Sequence, residues 1–298
     1  MPTSPPAAIS KGMDVPPTGE RIALDPLVAR VLAPNPSPYT YTGTQTHLVG
    51  TRDLAVIDPG PDDPAHLDAL IRAIDGRPVT AIVVTHTHRD HSPLSRALKA
   101  ATGAPIVGCT ALALDDLGPR ADAAFDRDYA PDRVLADGDR VEGDGWTLVA
   151  VATPGHTSNH LAFALPETGA LFSGDHVMGW STTVIAPPDG DMAAYMASLM
   201  KLQQRDDRIY YPGHGDAIEN PRRLLRGLIG HRKQREGQIL RLIGRDGIGT
   251  VPAMVERMYV GIDPRLRGAA ELSVRAHLID LSDRGLVIEE GDTWRMTA

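Results

Sequence analysis

The stretch THTHRDH at Thr85–His91 decides the fold, and it follows directly after the apolar run Ala81–Val84. The apolar run predicts a buried strand. Because a strand projects alternate side chains to the same side, His86 and His88 can point together off the end of this strand.

Asp90 and His91 complete this stretch in the turn that follows. Ser92-Pro93 comes next and predicts a helix start, since serine caps helices and proline suits their first turn. Three imidazoles and a carboxylate within six residues would make a poor core. They suit borderline-soft cations such as zinc, which bind histidine nitrogen.

Metal-competent side chains recur just beyond three later β-rich runs. His156 follows the run VAVA, Asp175 follows ALF, and His214 follows IYY, each within two residues of a glycine that permits close backbone approach. Together the four strand ends deliver five histidines and two aspartates to one edge of the fold. Seven such ligands outline a binuclear metal site, if one carboxylate bridges the ions.

Composition limits the classes of protein that this chain can be. Its 298 residues are 42% hydrophobic and 23% charged, which suits one large folded domain or two unequal ones. No apolar stretch approaches the length of a bilayer span, so we expect no membrane segment. One cysteine excludes an intramolecular disulfide, and residues 1–20 hold five prolines and no apolar signal region. We therefore predict a flexible tail at 1–20 and a cytoplasmic protein.

Charge is unevenly distributed along the chain. The net charge of −8 divides into −12 over residues 1–220 and +4 over residues 221–298, and segment 221–246 holds eight basic and two acidic residues. An acidic body argues against nucleic-acid binding by bulk charge, whereas the basic segment leaves a local site open. The alternative is an ordinary solvated helix face.

The pattern of elements divides the chain in two. Residues 21–220 alternate short β-rich runs with turns and a few helices, and we predict one catalytic domain there. Residues 221–298 predict a linker helix, two further helices and a hairpin. That is the order of a winged helix-turn-helix, which binds nucleic acid in some proteins and only packs or dimerises in others.

These motifs together resemble the metallo-β-lactamase superfamily of hydrolases, over about Gln45 to Gly215. The resemblance implies an α/β fold, an αββα sandwich of two mixed sheets with helices outside and metals at one edge, here followed by a small winged-helix domain. It also implies that the first ion is held by His86, His88 and His156. The second would be held by Asp90, His91 and His214, with Asp175 bridging the two.

Individual residues and segments indicate which branch of the superfamily the sequence resembles. True β-lactamases commonly have cysteine where Asp175 stands, which disfavours antibiotic hydrolysis. The segments LFSGDHVMGWSTTV, YYPGHG and HRKQREGQIL resemble the branch with a C-terminal winged-helix unit, whose mitochondrial animal member is an endoribonuclease on single-stranded RNA. Glyoxalase II is a neighbour, but it usually has histidine where Arg89 stands.

The expected chemistry is hydrolysis by a nucleophile derived from water. Two divalent ions, Zn²⁺ or else Fe or Mn, would lower the pKa of a shared water to near 7. Asp90 is the candidate catalytic residue that orients this water and transfers its proton. The substrate is then a small ester, thioester or amide, or alternatively single-stranded RNA. A third hypothesis is a non-catalytic module with structural metals, and the C-terminal helices could supply a homodimer interface.

Other polar residues are expected to have supporting roles. We predict packing or second-sphere contacts for His160, with a substrate contact as the alternative, and no metal ligation by His176. By resemblance, Asp58 buttresses a ligand. The remaining histidines are expected to be surface or core residues: His47, His66, His231 and His277. The sequence contains no G-x-S-x-G, H-E-x-x-H or G-x-x-x-x-G-K-[ST] motif.

Overall fold

A computed structural model describes residues 16–113 and 124–297, so most of the predicted tail at 1–20 lies outside the described residues. The first sheet has seven strands in chain order, antiparallel from β1 to β4 and parallel from β4 to β7. These strands are β1 (Arg21–Asp25), β2 (Val28–Leu32), β3 (Gln45–Val49), β4 (Leu54–Ile57), β5 (Val79–Val84), β6 (Ile106–Gly108) and β7 (Arg133–Val134).

The second sheet has five strands in the order β12-β11-β10-β9-β8, with β11 and β12 parallel and the other pairs antiparallel. Its strands are β8 (Arg140–Gly143), β9 (Trp146–Ala152), β10 (Leu161–Leu165), β11 (Ala170–Gly174) and β12 (Ile209–Pro212). Alternate residues of this sheet serve two cores. Phe163 and Phe172 belong to the core shared with the first sheet, whereas Ala162 and Leu171 belong to a core on the other face.

Helices cover both outer faces of this sandwich. The first sheet is packed against α1 (Pro64–Ile74) and α2 (Ser95–Thr102), and the second against α3 (Met192–Gln203). Asp63 and Asp191 cap α1 and α3 by accepting hydrogen bonds from Ala65 and Ala194 backbone N–H groups, at 2.8 and 2.7 Å. The αββα architecture predicted above is therefore confirmed.

The C-terminal unit has a core of its own. It consists of α4 (Pro221–Gly244), α5 (Val251–Met258), a 3₁₀ turn (Pro264–Leu266), α6 (Arg267–Asp283) and the hairpin β13 (Val287–Glu290) and β14 (Thr293–Met296). Helix α4 joins the two units, since Leu225 packs into the core of the second sheet and Ile239 into a core with Leu278 and Trp294. This order confirms the predicted winged-helix unit.

The sequence patterns missed three strands and placed one helix start differently. Strands β1, β7 and β8 carry exposed or mixed residues, so their apolar signal is weak. Helix α2 begins at Ser95 rather than at the predicted Pro93, because the intervening residues form a turn. Within the described residues, no helix is both long and apolar enough to cross a bilayer.

Candidate metal centre

Strand ends bring the predicted ligands to one edge of the sandwich. His86 lies two residues beyond β5, and His156, Asp175 and His214 follow β9, β11 and β12. Tight backbone approach at this edge requires glycine. A Cβ at Gly213 would lie 2.7 Å from Asp175 Oδ1 and 2.7 Å from a ring carbon of His91. The candidate ligands that follow these strands therefore meet at one edge of the sandwich, as the sequence predicted.

Three imidazoles form one group of donors. His88 Nδ1 lies 3.0 Å from His86 Nε2 and 3.1 Å from His156 Nε2. With a carboxylate oxygen of Asp175, these atoms all lie within 4.8 Å of one another. Such separations place three nitrogens and one oxygen around a common point, which is the arrangement that a four-coordinate zinc or a similar ion takes.

A second group of donors lies beside the first. Asp90 Oδ2 is 3.1 Å from His214 Nε2 and 3.4 Å from His91 Nε2. Asp175 reaches both groups, with Oδ1 3.4 Å from His91 Nε2, and with Oδ2 3.4 Å from His214 Nε2 and 3.8 Å from His156 Nε2. The structure therefore brings all seven predicted ligands together and places Asp175 between the two groups.

Two of the buried donor atoms have no hydrogen-bond partner, which fits a metal site. Among the described residues, His91 Nε2 and Asp175 Oδ1 are both buried and have no hydrogen-bond partner. Buried polar atoms in proteins are nearly always hydrogen-bonded, so such atoms need another partner. Histidine nitrogens and carboxylate oxygens at these separations suit zinc, iron or manganese. The residues present thus fit metal ions.

Hydrogen bonds from neighbouring residues orient the candidate ligands. Asp58 Oδ2 lies 2.9 Å from His91 Nδ1, and the Asp58 carboxylate also accepts hydrogen bonds from the Thr85 N–H and hydroxyl, at 2.8 and 2.7 Å. With its oxygens engaged in this way, Asp58 supports His91, as expected from the resemblance, although it also lies within 4.8 Å of His86 and His91 donor atoms. Supporting groups of this kind fix ring orientation and tautomer.

Backbone carbonyls that the sequence analysis did not identify support two other histidines. His156 Nδ1 lies 2.8 Å from the Val184 carbonyl oxygen, and His214 Nδ1 lies 3.1 Å from that of Gly43. The Thr44 hydroxyl, next in the chain, donates to Asp90 Oδ2 at 3.2 Å. No side-chain pattern could have signalled the carbonyls, since every residue has one.

Electrostatics differ between the two donor groups. Burial lowers the pKa of His88 to about 3, so this imidazole is neutral at pH 7. Burial acts in the same direction at His91 and His214, but the Asp90 and Asp175 carboxylates outweigh it, raising the pKa of His214 to about 10 and that of His91 well above its ordinary value. A cation entering the second group must therefore displace protons.

The remaining buried histidines lie outside these donor groups. His160 Nε2 accepts a hydrogen bond from the Asp175 backbone N–H at 3.2 Å, and its Nδ1 lies 2.8 Å from the Thr153 hydroxyl. This favours the supporting role over the substrate contact. His176 packs against Tyr195, with ring centroids 4.7 Å apart, and within the described residues it belongs to no group of candidate metal donors. His47, His66 and His277 are buried, and His231 is half-buried.

Comparison with protein families gives two matches that divide the chain where the structure does. Residues 40–214 match the model of the metallo-beta-lactamase superfamily, and residues 250–294 match the beta-lactamase associated winged helix domain. The first match spans the candidate metal centre, and the second spans α5 to β14.

Two relatives are similar over most of the chain. The beta-lactamase-like protein 2 homolog of Caenorhabditis elegans is 33% identical over 271 residues, covering 89% of this chain and 87% of its own. The atrochrysone carboxyl ACP thioesterase of Aspergillus fumigatus is 32% identical over 242 residues, covering 78% of this chain and 69% of its own.

Solved structures show the same fold. A metallo-beta-lactamase family protein of Thermus thermophilus, TTHA1429, aligns with a TM-score of 0.76 at 23% identity, covering 92% of this chain and all of its own. The protein TTHA1623, in a di-iron-bound form, aligns with a TM-score of 0.52 at 31% identity over 67% of this chain and 96% of its own.

Proposed function

We propose that this chain, which belongs to the metallo-β-lactamase superfamily, hydrolyses a small ester, thioester or amide at a centre of two divalent metal ions. The observation that supports this most strongly is the position of Asp175, whose carboxylate lies 3.8 Å from His156 Nε2 of the first donor group and 3.4 Å from His91 Nε2 and His214 Nε2 of the second. A single four-ligand site would not need the second group. The di-iron form of TTHA1623 supports a pair of ions at such a centre.

The residues that would hold the ions follow from the distances. His86, His88 and His156 would hold the first, Asp90, His91 and His214 the second, and Asp175 both. When bound, such ions supply Lewis acidity and make a strong nucleophile available from water at neutral pH. We infer zinc, with iron or manganese as alternatives, because this donor set accepts all three.

Asp90 is the residue to which we assign proton transfer. Its side chain is 27% exposed, whereas the His91 and His214 side chains that it contacts are 0% and 2% exposed. The contacts to His91, His214 and Thr44 all use Oδ2. None of these three contacts uses Oδ1, so we assign to this oxygen the orientation of water and the acceptance of its proton.

A thioester is the substrate class that we favour within this proposal. The relative from Aspergillus fumigatus is named as an acyl-carrier thioesterase, and its similarity extends over 78% of this chain. An acidic body also suits a small acyl substrate better than a polyanion. The test is hydrolysis of a panel of acyl thioesters and matched oxygen esters by metal-loaded protein. Metal-dependent turnover supports the proposal, and no turnover by protein with two bound equivalents would contradict it.

Hydrolysis of single-stranded RNA is the second candidate, and one surface feature favours it. Arg241, Arg245 and Arg257 line a depression of about 200 Å³ between α4 and α5. Within residues 16–113 and 124–297, no ion pair is formed by any of these three arginines, whereas Arg275 and Arg295 of the same unit are paired with glutamates. Three guanidinium groups without ion pairs, beside the one carboxylate of Asp246, give the lining a net positive charge that suits phosphodiesters.

Labelled single-stranded RNA separates the two candidates. Cleavage by metal-loaded protein that is lost in Asp90→Asn would establish phosphodiester hydrolysis and overturn the preference for acyl substrates. Arg241→Ala with Arg245→Ala should then weaken RNA binding without changing turnover of a thioester. Unchanged RNA binding by this double variant would exclude the depression as an RNA-binding site.

A further inference from the structure

Arg232 of helix α4 differs from the other basic residues of its segment. It is 3% exposed, whereas Arg226 and Lys233 on the same helix are exposed. Its guanidinium lies over the Tyr195 ring, 5.1 Å from the centroid. In the described part of the chain no carboxylate forms an ion pair with it, and its Nε has no hydrogen-bond partner.

The Arg232 guanidinium is hydrogen-bonded to Thr183, and Thr183 and Val184 contact candidate ligands of the metal centre. Arg232 Nη2 donates a hydrogen bond to the Thr183 carbonyl oxygen. The Thr183 hydroxyl donates in turn to the Asp175 carbonyl oxygen at 2.7 Å, and lies 3.1 Å from that of His176. The next carbonyl, that of Val184, lies 2.8 Å from His156 Nδ1. Two adjacent residues, Thr183 and Val184, therefore connect Arg232 to two candidate ligands, Asp175 and His156.

Fold stability does not account for a buried arginine of this kind. Removing a charge from water costs several kcal/mol, and within the described residues no carboxylate pairs with Arg232 to offset that cost. Well-packed apolar residues of similar volume are often as stabilising or more so in such positions. A buried arginine in this position therefore calls for a role in what it holds in place.

We propose that Arg232 is a positioning residue that fixes Thr183 and Val184 against Asp175 and His156, so that helix α4 is part of the support of the metal centre. This inference rests on the proposed function, because it needs metal ions at the seven ligands. Contacts of this kind around metal ligands typically change metal affinity by about 10- to 100-fold.

Cobalt binding by the full-length protein tests this role without relying on activity. Co²⁺ would be titrated against a competing chelator while its d–d absorption is followed, in the wild type and in Arg232→Met, Arg232→Lys and Arg226→Met. We expect Arg232→Met to lower Co²⁺ affinity about 10- to 100-fold and to change the absorption spectrum. Arg232→Lys, which keeps a donor for the Thr183 carbonyl, should restore part of the affinity. The exposed control Arg226→Met should bind as the wild type does.

Thermal unfolding of the metal-free proteins separates positioning from a structural role. A positioning residue leaves the Tm of Arg232→Met at or above that of the wild type, because methionine fills the site without a buried charge. A lowered Tm together with unchanged Co²⁺ affinity and spectrum would overturn the inference.

A second pair of variants keeps the test informative if Arg232→Met fails to fold. Thr183→Val removes the hydroxyl that bonds the Asp175 carbonyl, and Thr183→Ser keeps it. We expect weaker Co²⁺ binding in the first variant and near wild-type binding in the second, and equal binding in both would overturn the inference. Absence of Co²⁺ binding in the wild type would instead contradict the proposed function.

Discussion

The metal-centre edge and the winged-helix unit treat charged side chains in opposite ways. At the edge, Asp90, His91 and Asp175 are packed against one another, and buried atoms such as His91 Nε2 have no hydrogen-bond partner. In the helices and hairpin that follow α4, charged side chains lie at the surface, some of them in pairs such as Arg275 with Glu289. Burying polar groups without hydrogen bonds costs free energy, so such groups indicate a functional site. Solvated ion pairs contribute little to the free energy of unfolding. The two regions should therefore respond differently to substitution.

Asp175→Ala should produce the largest effect, because this carboxylate reaches both donor groups. We expect the variant to retain at most one of two metal equivalents, with loss of hydrolytic activity. Elemental analysis of the purified protein measures the equivalents. Asp206→Ala, which removes an exposed carboxylate far from the edge, is the matched control. Two equivalents retained by Asp175→Ala would rule out the bridging role.

Asp90→Asn should lower kcat by about 10²- to 10⁴-fold, the range for loss of a general base. The amide keeps the shape of the side chain and the contact with Thr44, but it cannot accept a proton from water. Steady-state kinetics with a thioester substrate measure the change, and metal analysis shows whether both ions remain. Full activity in a variant with two equivalents would exclude Asp90 from proton transfer.

Trp294→Ala tests the other region, since this side chain is 3% exposed in the winged-helix core. Loss of a buried tryptophan costs about 3–5 kcal/mol in the free energy of unfolding. Denaturant unfolding should show this loss, and metal equivalents per folded protein should stay unchanged, because Trp294 packs with Ile239 of α4 whereas Arg232 lies over Tyr195 in the other core. A fall in metal content would show that the two regions are coupled beyond helix α4.

Arg275→Ala should produce the smallest effect. Its side chain is 51% exposed, and its 3.3 Å contact with Glu289 is one that solvent screens. We expect a loss of about 0.2–1 kcal/mol in unfolding free energy, and no change in metal content or turnover. A loss above about 2 kcal/mol in denaturant unfolding would contradict the solvated-pair description of the winged-helix unit.

Much of the fold and of the donor set was predictable from local patterns. Apolar runs such as Ala81–Val84 predicted strands, and each candidate ligand stood within a few residues of the end of a predicted strand. Short strands with exposed residues, such as Arg133–Val134, could not be predicted, because the alternating pattern of a strand arises only where one face is buried.

The sequence by itself determined which side chains could bind metal, because ligand chemistry belongs to residue type and strand ends place those residues at an edge. Only the tertiary structure decided what holds them there. The carbonyls of Gly43 and Val184 have no sequence signature, and the basic segment of α4 predicted only a solvated face or a nucleic-acid site. Packing of α4 against the second sheet buries Arg232 and leaves Arg226 exposed, since helix orientation is set by contacts between distant segments.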